Sequence, residues 1–125
     1  MTETPRVLVV EDEAIIGLEI RTELERAGVD VVGVVDTGNR AVELVRELHP
    51  SLVLMDINLR GGMDGIEAAT RIRRISGCPI VFLTGNSDLR THPRLLASHP
   101  SSVLMKPFSE HALREAVCGA VTSVE

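Results

Sequence analysis

Four short apolar runs each lead into residues with chemistry. Glu11, Asp12 and Glu13 follow Val7-Leu8-Val9-Val10, and Asp56 closes Leu52-Val53-Leu54-Met55. Thr84 closes Ile80-Val81-Phe82-Leu83, and Lys106 follows Ser102-Val103-Leu104-Met105. Clustered carboxylates repel one another unless a cation joins them. Hard oxygen ligands beside loop carbonyls suit magnesium, which takes a few carboxylates together with waters and phosphate oxygens. A metal, a hydroxyl and an ammonium together would surround a phosphoryl group and neutralise its oxygens. Asp56 is then the natural nucleophile, forming an aspartyl phosphate, with Lys106 as a point charge on the phosphate and Thr84 as a hydrogen-bond donor to it. Singly, these residues have plainer roles. A strand-end Asp closes a turn or caps a helix, an acidic triplet suits a helix start, and Thr before Gly or Lys before Pro belongs to a turn or the surface. Their joint placement after successive runs points to one shared crevice.

For these side chains to meet, the runs must be parallel strands whose C-terminal ends share an edge, where open α/β sheets hold their ligands. Continuous apolar runs bounded by turn residues read as strands buried on both faces. Strands are expected at Arg6–Val10, Val29–Val35, Leu52–Asp56, Ile80–Thr84 and Ser102–Met105. Between them lie helical patterns. Ile16, Ile20, Leu24 and Ala27 form one stripe before Gly28, and Ala41, Leu44, Val45 and Leu48 form another between Thr37 and Pro50. Ile66, Ala69 and Ile72 point inward after Asp64, with Arg71, Arg73 and Arg74 on the outer face. Asp88 to Ser98 is weakly periodic, and Pro93, which would interrupt a helix interior, predicts a short or distorted helix there. Leu113, Ala116, Val117 and Val121 line a last helix capped by Ser109. A strand-helix unit repeated in this way predicts a parallel sheet covered by helices on both faces.

Composition narrows the function classes. The chain has 125 residues, the size of one domain, with 44% hydrophobic residues and a net charge of -5. The acidic balance argues against a nucleic-acid surface, and two Phe without Trp or Tyr argue against a base-stacking platform. No apolar run is long enough to span a bilayer and none resembles a signal peptide, so a cytoplasmic chain without membrane contact is expected. Cys78 and Cys118 have no metal-ligand spacing and read as small buried hydrophobes.

These motifs, in this order, resemble the response-regulator receiver family of two-component phosphorelays. The matching stretches are Val7 to Glu13, Leu52 to Asp56, Met63-Asp64-Gly65, Ile80 to Thr84 and Lys106-Pro107-Phe108. The resemblance implies a single receiver domain over residues 1–125, with a core of about 6–122. It implies a flavodoxin-like doubly wound sheet of order 2-1-3-4-5. It further implies that Asp56 accepts phosphate from a histidine kinase or histidine phosphotransferase. Glu11, Asp12, Asp56 and the backbone carbonyl of Asn58 would hold Mg2+, and Thr84 and Lys106 would respond to the phosphoryl group. The Lys106-Pro107 bond would be cis. The domain would catalyse at most its own phosphorylation and dephosphorylation. It would switch contacts with an effector, or with a second copy, through the fourth helix, fifth strand and fifth helix. That face carries Arg90, His92, Arg94, His99, His111 and Arg114. Three features depart from the family's usual pattern. Val103 stands where a switch aromatic is common, the Asp56-to-Gly65 loop is a residue longer with Leu59-Arg60-Gly61-Gly62 in place of a Met-Pro pair, and the fourth helix contains His92-Pro93.

Rival readings use parts of the same set. An aspartyl phosphohydrolase would carry Asp-x-Asp, but the second position here is Asn58 and the other carboxylates precede the nucleophile. A flavin electron carrier would need a hydroxyl-rich phosphate loop where Glu11-Asp12-Glu13 stands. A degenerate receiver acting only as a binding module would not need the complete set of acidic pair, Asp, Thr and Lys.

Overall fold

A computed structural model describes residues 4–85 and 92–122, so Arg90 and the start of the Asp88–Ser98 stretch lie outside the described residues. The elements run β1 (Arg6–Val10), α1 (Ala14–Arg26), β2 (Asp30–Val35), α2 (Gly38–Leu48) and β3 (Leu52–Asp56). They continue as α3 (Gly65–Arg73), β4 (Ile80–Thr84), α4 (Pro93–Ala97), β5 (Ser102–Met105) and α5 (Glu110–Thr122). The five strands form one parallel sheet in the order β2-β1-β3-β4-β5, as the resemblance implies. Among the described residues no helix is long and apolar enough to cross a membrane.

The strand runs are apolar throughout because successive side chains enter different cores. Leu8, Val10, Val53, Met55, Ile80 and Phe82 pack with α2, α3 and Leu95 of α4. Val7, Val9, Leu52, Leu54, Val81 and Leu83 pack with Ile20 and Leu24 of α1 and with Leu113, Val117 and Ala120 of α5. All of these strand residues are fully buried. Burial of side chains this size stabilises by about 1.5–3 kcal/mol each, and it sets the sheet rigidly enough to hold polar groups at one edge.

Local signals place most helix starts. Thr37 accepts the Arg40 N–H at 3.2 Å, Asp64 accepts the Glu67 N–H at 2.8 Å, and Ser109 accepts the Ala112 N–H at 3.0 Å. Other expectations need correction. Ala27 is exposed and forms the C-cap of α1, because the helix ends before the stripe can turn it inward. The helix described within Asp88–Ser98 is short, as expected, but Pro93 does not break it from within: it opens α4 at a first-turn position, where its missing N–H costs nothing. Cys78 is buried, whereas Cys118 lies on the exposed side of α5.

The closest packing lies directly behind the crevice. The Gly65 N–H donates to the Ile57 carbonyl at 2.8 Å, and a Cβ at residue 65 would overlap the carbonyl of Asp56. Gly65→Ala must therefore push α3 away from the end of β3. Its expected cost is about 1–3 kcal/mol, read as a lower urea midpoint by far-ultraviolet circular dichroism. An unchanged midpoint would mean that the loop yields freely.

Candidate functional site

The parallel sheet brings the strand ends together as the spacing requires. Asp12, Glu13, Asp56, Asn58, Arg60, Gly85 and Lys106 line a cleft of about 480 Å³. Glu11 lies beneath its floor, 2% exposed, and Asp56 is 3% exposed. Thr84 is fully buried at the end of β4, and its carbonyl accepts the Lys106 N–H at 2.8 Å, which fixes the start of the β5–α5 turn. The Lys106–Pro107 peptide bond is cis. Asn58 donates its own N–H to Asp56 Oδ1 at 3.1 Å, which holds the carboxylate in one orientation.

Lys106 joins the two buried carboxylates. Its Nζ lies 2.7 Å from Glu11 Oε1 and 3.3 Å from Asp56 Oδ2. The contact with Asp56 is a hydrogen bond, whereas Glu11 Oε1 has ion-pair proximity without hydrogen-bond alignment and is otherwise unsatisfied. Burial, helped by the neighbouring Asp56, pushes the Glu11 carboxyl above its ordinary value, and Lys106 opposes this only in part. Burial lowers the Lys106 ammonium, but Glu11 and Asp56 outweigh it and hold the group above its ordinary value. The pocket thus carries more negative charge than one ammonium can satisfy.

One carboxylate oxygen each from Glu11, Asp12 and Asp56 lies within 4.8 Å of the others, a spacing that could hold a metal ion. The donor set fits a hard divalent cation. All three donors are oxygens, and Glu11 and Asp56 are nearly buried and gathered around the Lys106 ammonium, a position a cation suits. Asp12 is paired with Arg60, whose Nε lies 3.3 Å from Asp12 Oδ2. Sequence reasoning marked Arg60 only as part of an unusual loop. Its partner depends on how the β3–α3 loop folds over the β1 end, and no local pattern reveals that.

Comparisons with known proteins agree with this arrangement. The sequence profile of the response regulator receiver domain matches residues 7–118. The chain is 40% identical over 118 residues to the transcriptional regulatory protein PdtaR of Mycobacterium tuberculosis, covering 94% of this chain and 57% of that protein. It is 38% identical over 112 residues to the DNA-binding response regulator MtrA of the same organism, covering 90% of this chain and 48% of MtrA. The chain therefore spans about half the length of these curated relatives. Among solved structures, the signal receiver domain of a modulated diguanylate cyclase from Desulfovibrio desulfuricans superposes with a TM-score of 0.90 at 36% identity, covering 97% of this chain and 96% of that one.

The face around α4 differs from the sequence expectation. Arg73 is half-buried rather than on an outer face. Its guanidinium donates to the carbonyls of Cys78 at 2.8 Å, Ser98 at 3.2 Å and His99 at 2.6 Å, gripping the C-terminal end of α4. At the other end Arg94 forms a two-armed pair with Asp64, at 3.0 and 3.2 Å. His92 Nδ1 accepts the Arg94 N–H at 3.1 Å, and His111 lies 2.9 Å from Glu115. Several charges expected to face a partner are therefore engaged within the chain. Partial burial raises the Asp64 carboxyl, but the Glu67 amide and Arg94 outweigh it and hold the group below its ordinary 3.8. With the folded value depressed, this stabilisation is present above pH 3.8 and is lost as pH falls through the folded value. Asp64→Asn keeps a good helix cap but removes the charge. It is expected to lower stability at neutral pH by roughly 0.2–1 kcal/mol, the range for an exposed pair. The gap to wild type in urea melts should close in strong acid. A gap that persists there would place the effect in the cap instead.

Proposed function

The chain belongs to the response regulator receiver domain family, and on that premise we propose that it accepts a phosphoryl group on Asp56 from the phosphohistidine of a histidine kinase or phosphotransferase in the cytoplasm. The supporting observation is the convergence of Glu11, Asp12 and Asp56 oxygens within 4.8 Å, with the Lys106 ammonium against two of them. An Asp56 carboxylate oxygen attacks phosphorus, the N–P bond breaks as the O–P bond forms, and the freed imidazole takes up a proton. Asn58, through its N–H, presents the carboxylate in a fixed orientation for an in-line approach. Glu11, Asp12, Asp56 and the Asn58 carbonyl would hold Mg2+, which supplies charge to neutralise the transferring oxygens. Lys106 can leave Glu11 and pair with the phosphoryl group, and the Thr84 hydroxyl provides a donor. Phosphorylation brings a charge of roughly -1.5 to -2 to a pocket already rich in carboxylates.

The response reaches the surface through β5 and α4. Val103 pairs in register with Phe82 and packs with the cluster that contains Leu95 of α4. A small β-branched residue there cannot swing as a large aromatic can. The change instead passes through the Lys106 backbone bond to Thr84 and the attachments of α4, and alters contacts with an effector or a second copy.

Incubation with acetyl phosphate and Mg2+ should add the mass of one phosphoryl group, and Asp56→Asn or removal of the metal should abolish the gain. No gain in wild type with donors and kinases that label other receivers would sink the proposal. Steady turnover of phosphate monoesters would favour an aspartyl phosphohydrolase. Lys106→Ala is expected to accept the phosphoryl group yet lose the accompanying amide shifts in α4, β5 and α5 by NMR. Wild-type shifts in that variant would remove Lys106 from the switch.

A further inference from the structure

The three clustered carboxylates of the cleft, Glu11, Asp12 and Asp56, are divided between two cations of the chain. Lys106 takes the inner pair, Glu11 and Asp56, and Arg60 takes Asp12, the least buried of the three. Arg60 is not placed there by chance reach of a long side chain. Its backbone forms a parallel bridge with Thr37, the N-cap of α2, so the loop is anchored where the guanidinium leaves it. Gly61 and Gly62 follow with φ of 88° and 83°, a left-handed turn that glycine adopts without strain, and they carry the chain back toward α3. Arg60 lines the cleft while its own side chain is 80% exposed, so it can depart into solvent at little cost.

We propose that Arg60 is a built-in counter-ion of the metal site, pairing with Asp12 in the metal-free protein and displaced when Mg2+ enters. This rests on the reading of the acidic cleft as a magnesium site. A divalent ion coordinated by Asp12 removes the partner of Arg60 and repels its guanidinium, so metal entry is an exchange of cations rather than simple binding. The exchange lowers metal affinity, keeps the cleft from carrying unbalanced negative charge, and releases an arginine at the mouth through which a phosphodonor must approach.

Isothermal titration calorimetry with MgCl2 at low ionic strength tests this on wild type, Arg60→Ala and Arg40→Ala, the last removing an exposed arginine paired elsewhere with Glu43. Arg60→Ala is expected to bind Mg2+ about two- to five-fold more tightly, the range an exposed ion pair can account for, while Arg40→Ala matches wild type. In wild type the Arg60 Nε–Hε NMR signal should move along the same Mg2+ isotherm as the Asp12 amide. Equal or weaker affinity in Arg60→Ala overturns the proposal. So does tighter affinity with a stationary Arg60 signal, which would mean a diffuse field rather than a pair. Absence of Mg2+ binding in wild type would overturn the magnesium reading and this inference together, whereas normal wild-type binding with an unchanged variant overturns this inference alone.

Discussion

The Lys106 ammonium between Glu11 and Asp56 is the contact on which the rest of the site depends. Two nearly buried carboxylates in one pocket repel each other, and desolvation adds to the cost. A single ammonium touching both, 2.7 Å from Glu11 and 3.3 Å from Asp56, makes the arrangement tolerable, although burial and Asp56 still hold the Glu11 carboxyl above its ordinary value. The ammonium arrives on β5, the last strand in the chain and an edge of the sheet, while the carboxylates arrive on β1 and β3. The pocket is therefore complete only when the whole sheet is assembled. One oxygen each from Glu11, Asp12 and Asp56 lies within 4.8 Å of the others, which suits a hard divalent cation.

Rigidity and adjustability are kept apart around this contact. The interiors of β1, β3 and β4 are fully buried and split between two helix-covered faces, so their ends are held as a fixed frame. Gly65 brings α3 against the backbone of Asp56 with no room for a Cβ, which anchors the back of the cleft. On the other side, α4 spans only Pro93–Ala97 and is held by polar grips from α3, with Leu95 as its buried apolar anchor. Ion pairs and single hydrogen bonds of this exposure contribute modestly. The two ends of α4 are thus fastened by polar interactions that a change of charge can shift.

Val103 fits this division. Paired with Phe82 on the edge strand β5, it is partly buried against the cluster that holds Leu95, without a ring that must choose between buried and exposed positions. The described attachments of α4 are the Asp64–Arg94 pair at one end and the Arg73 guanidinium at the other, with no aromatic at position 103.

The sequence by itself determined the frame and which side chains gather at one edge of it. Continuous apolar runs such as Leu52–Met55, bounded by turn residues, read as strands buried on both faces, and turn and cap residues such as Thr37, Asp64 and Ser109 mark helix starts by local hydrogen bonding. Asp56, Glu11, Asp12, Thr84 and Lys106 were legible because each ends or follows such a run, and parallel strands must bring those ends to one edge. Tertiary structure alone decided which long cationic side chain meets which acceptor. Arg73 read as an outer-face residue grips α4, Arg94 reaches Asp64 thirty positions away, and Arg60 crosses to Asp12. Periodicity reports which face of an element is buried over a few residues. An arginine's flexible stem carries its charge several ångströms beyond that face, so its partner is set by which loops the finished sheet places nearby.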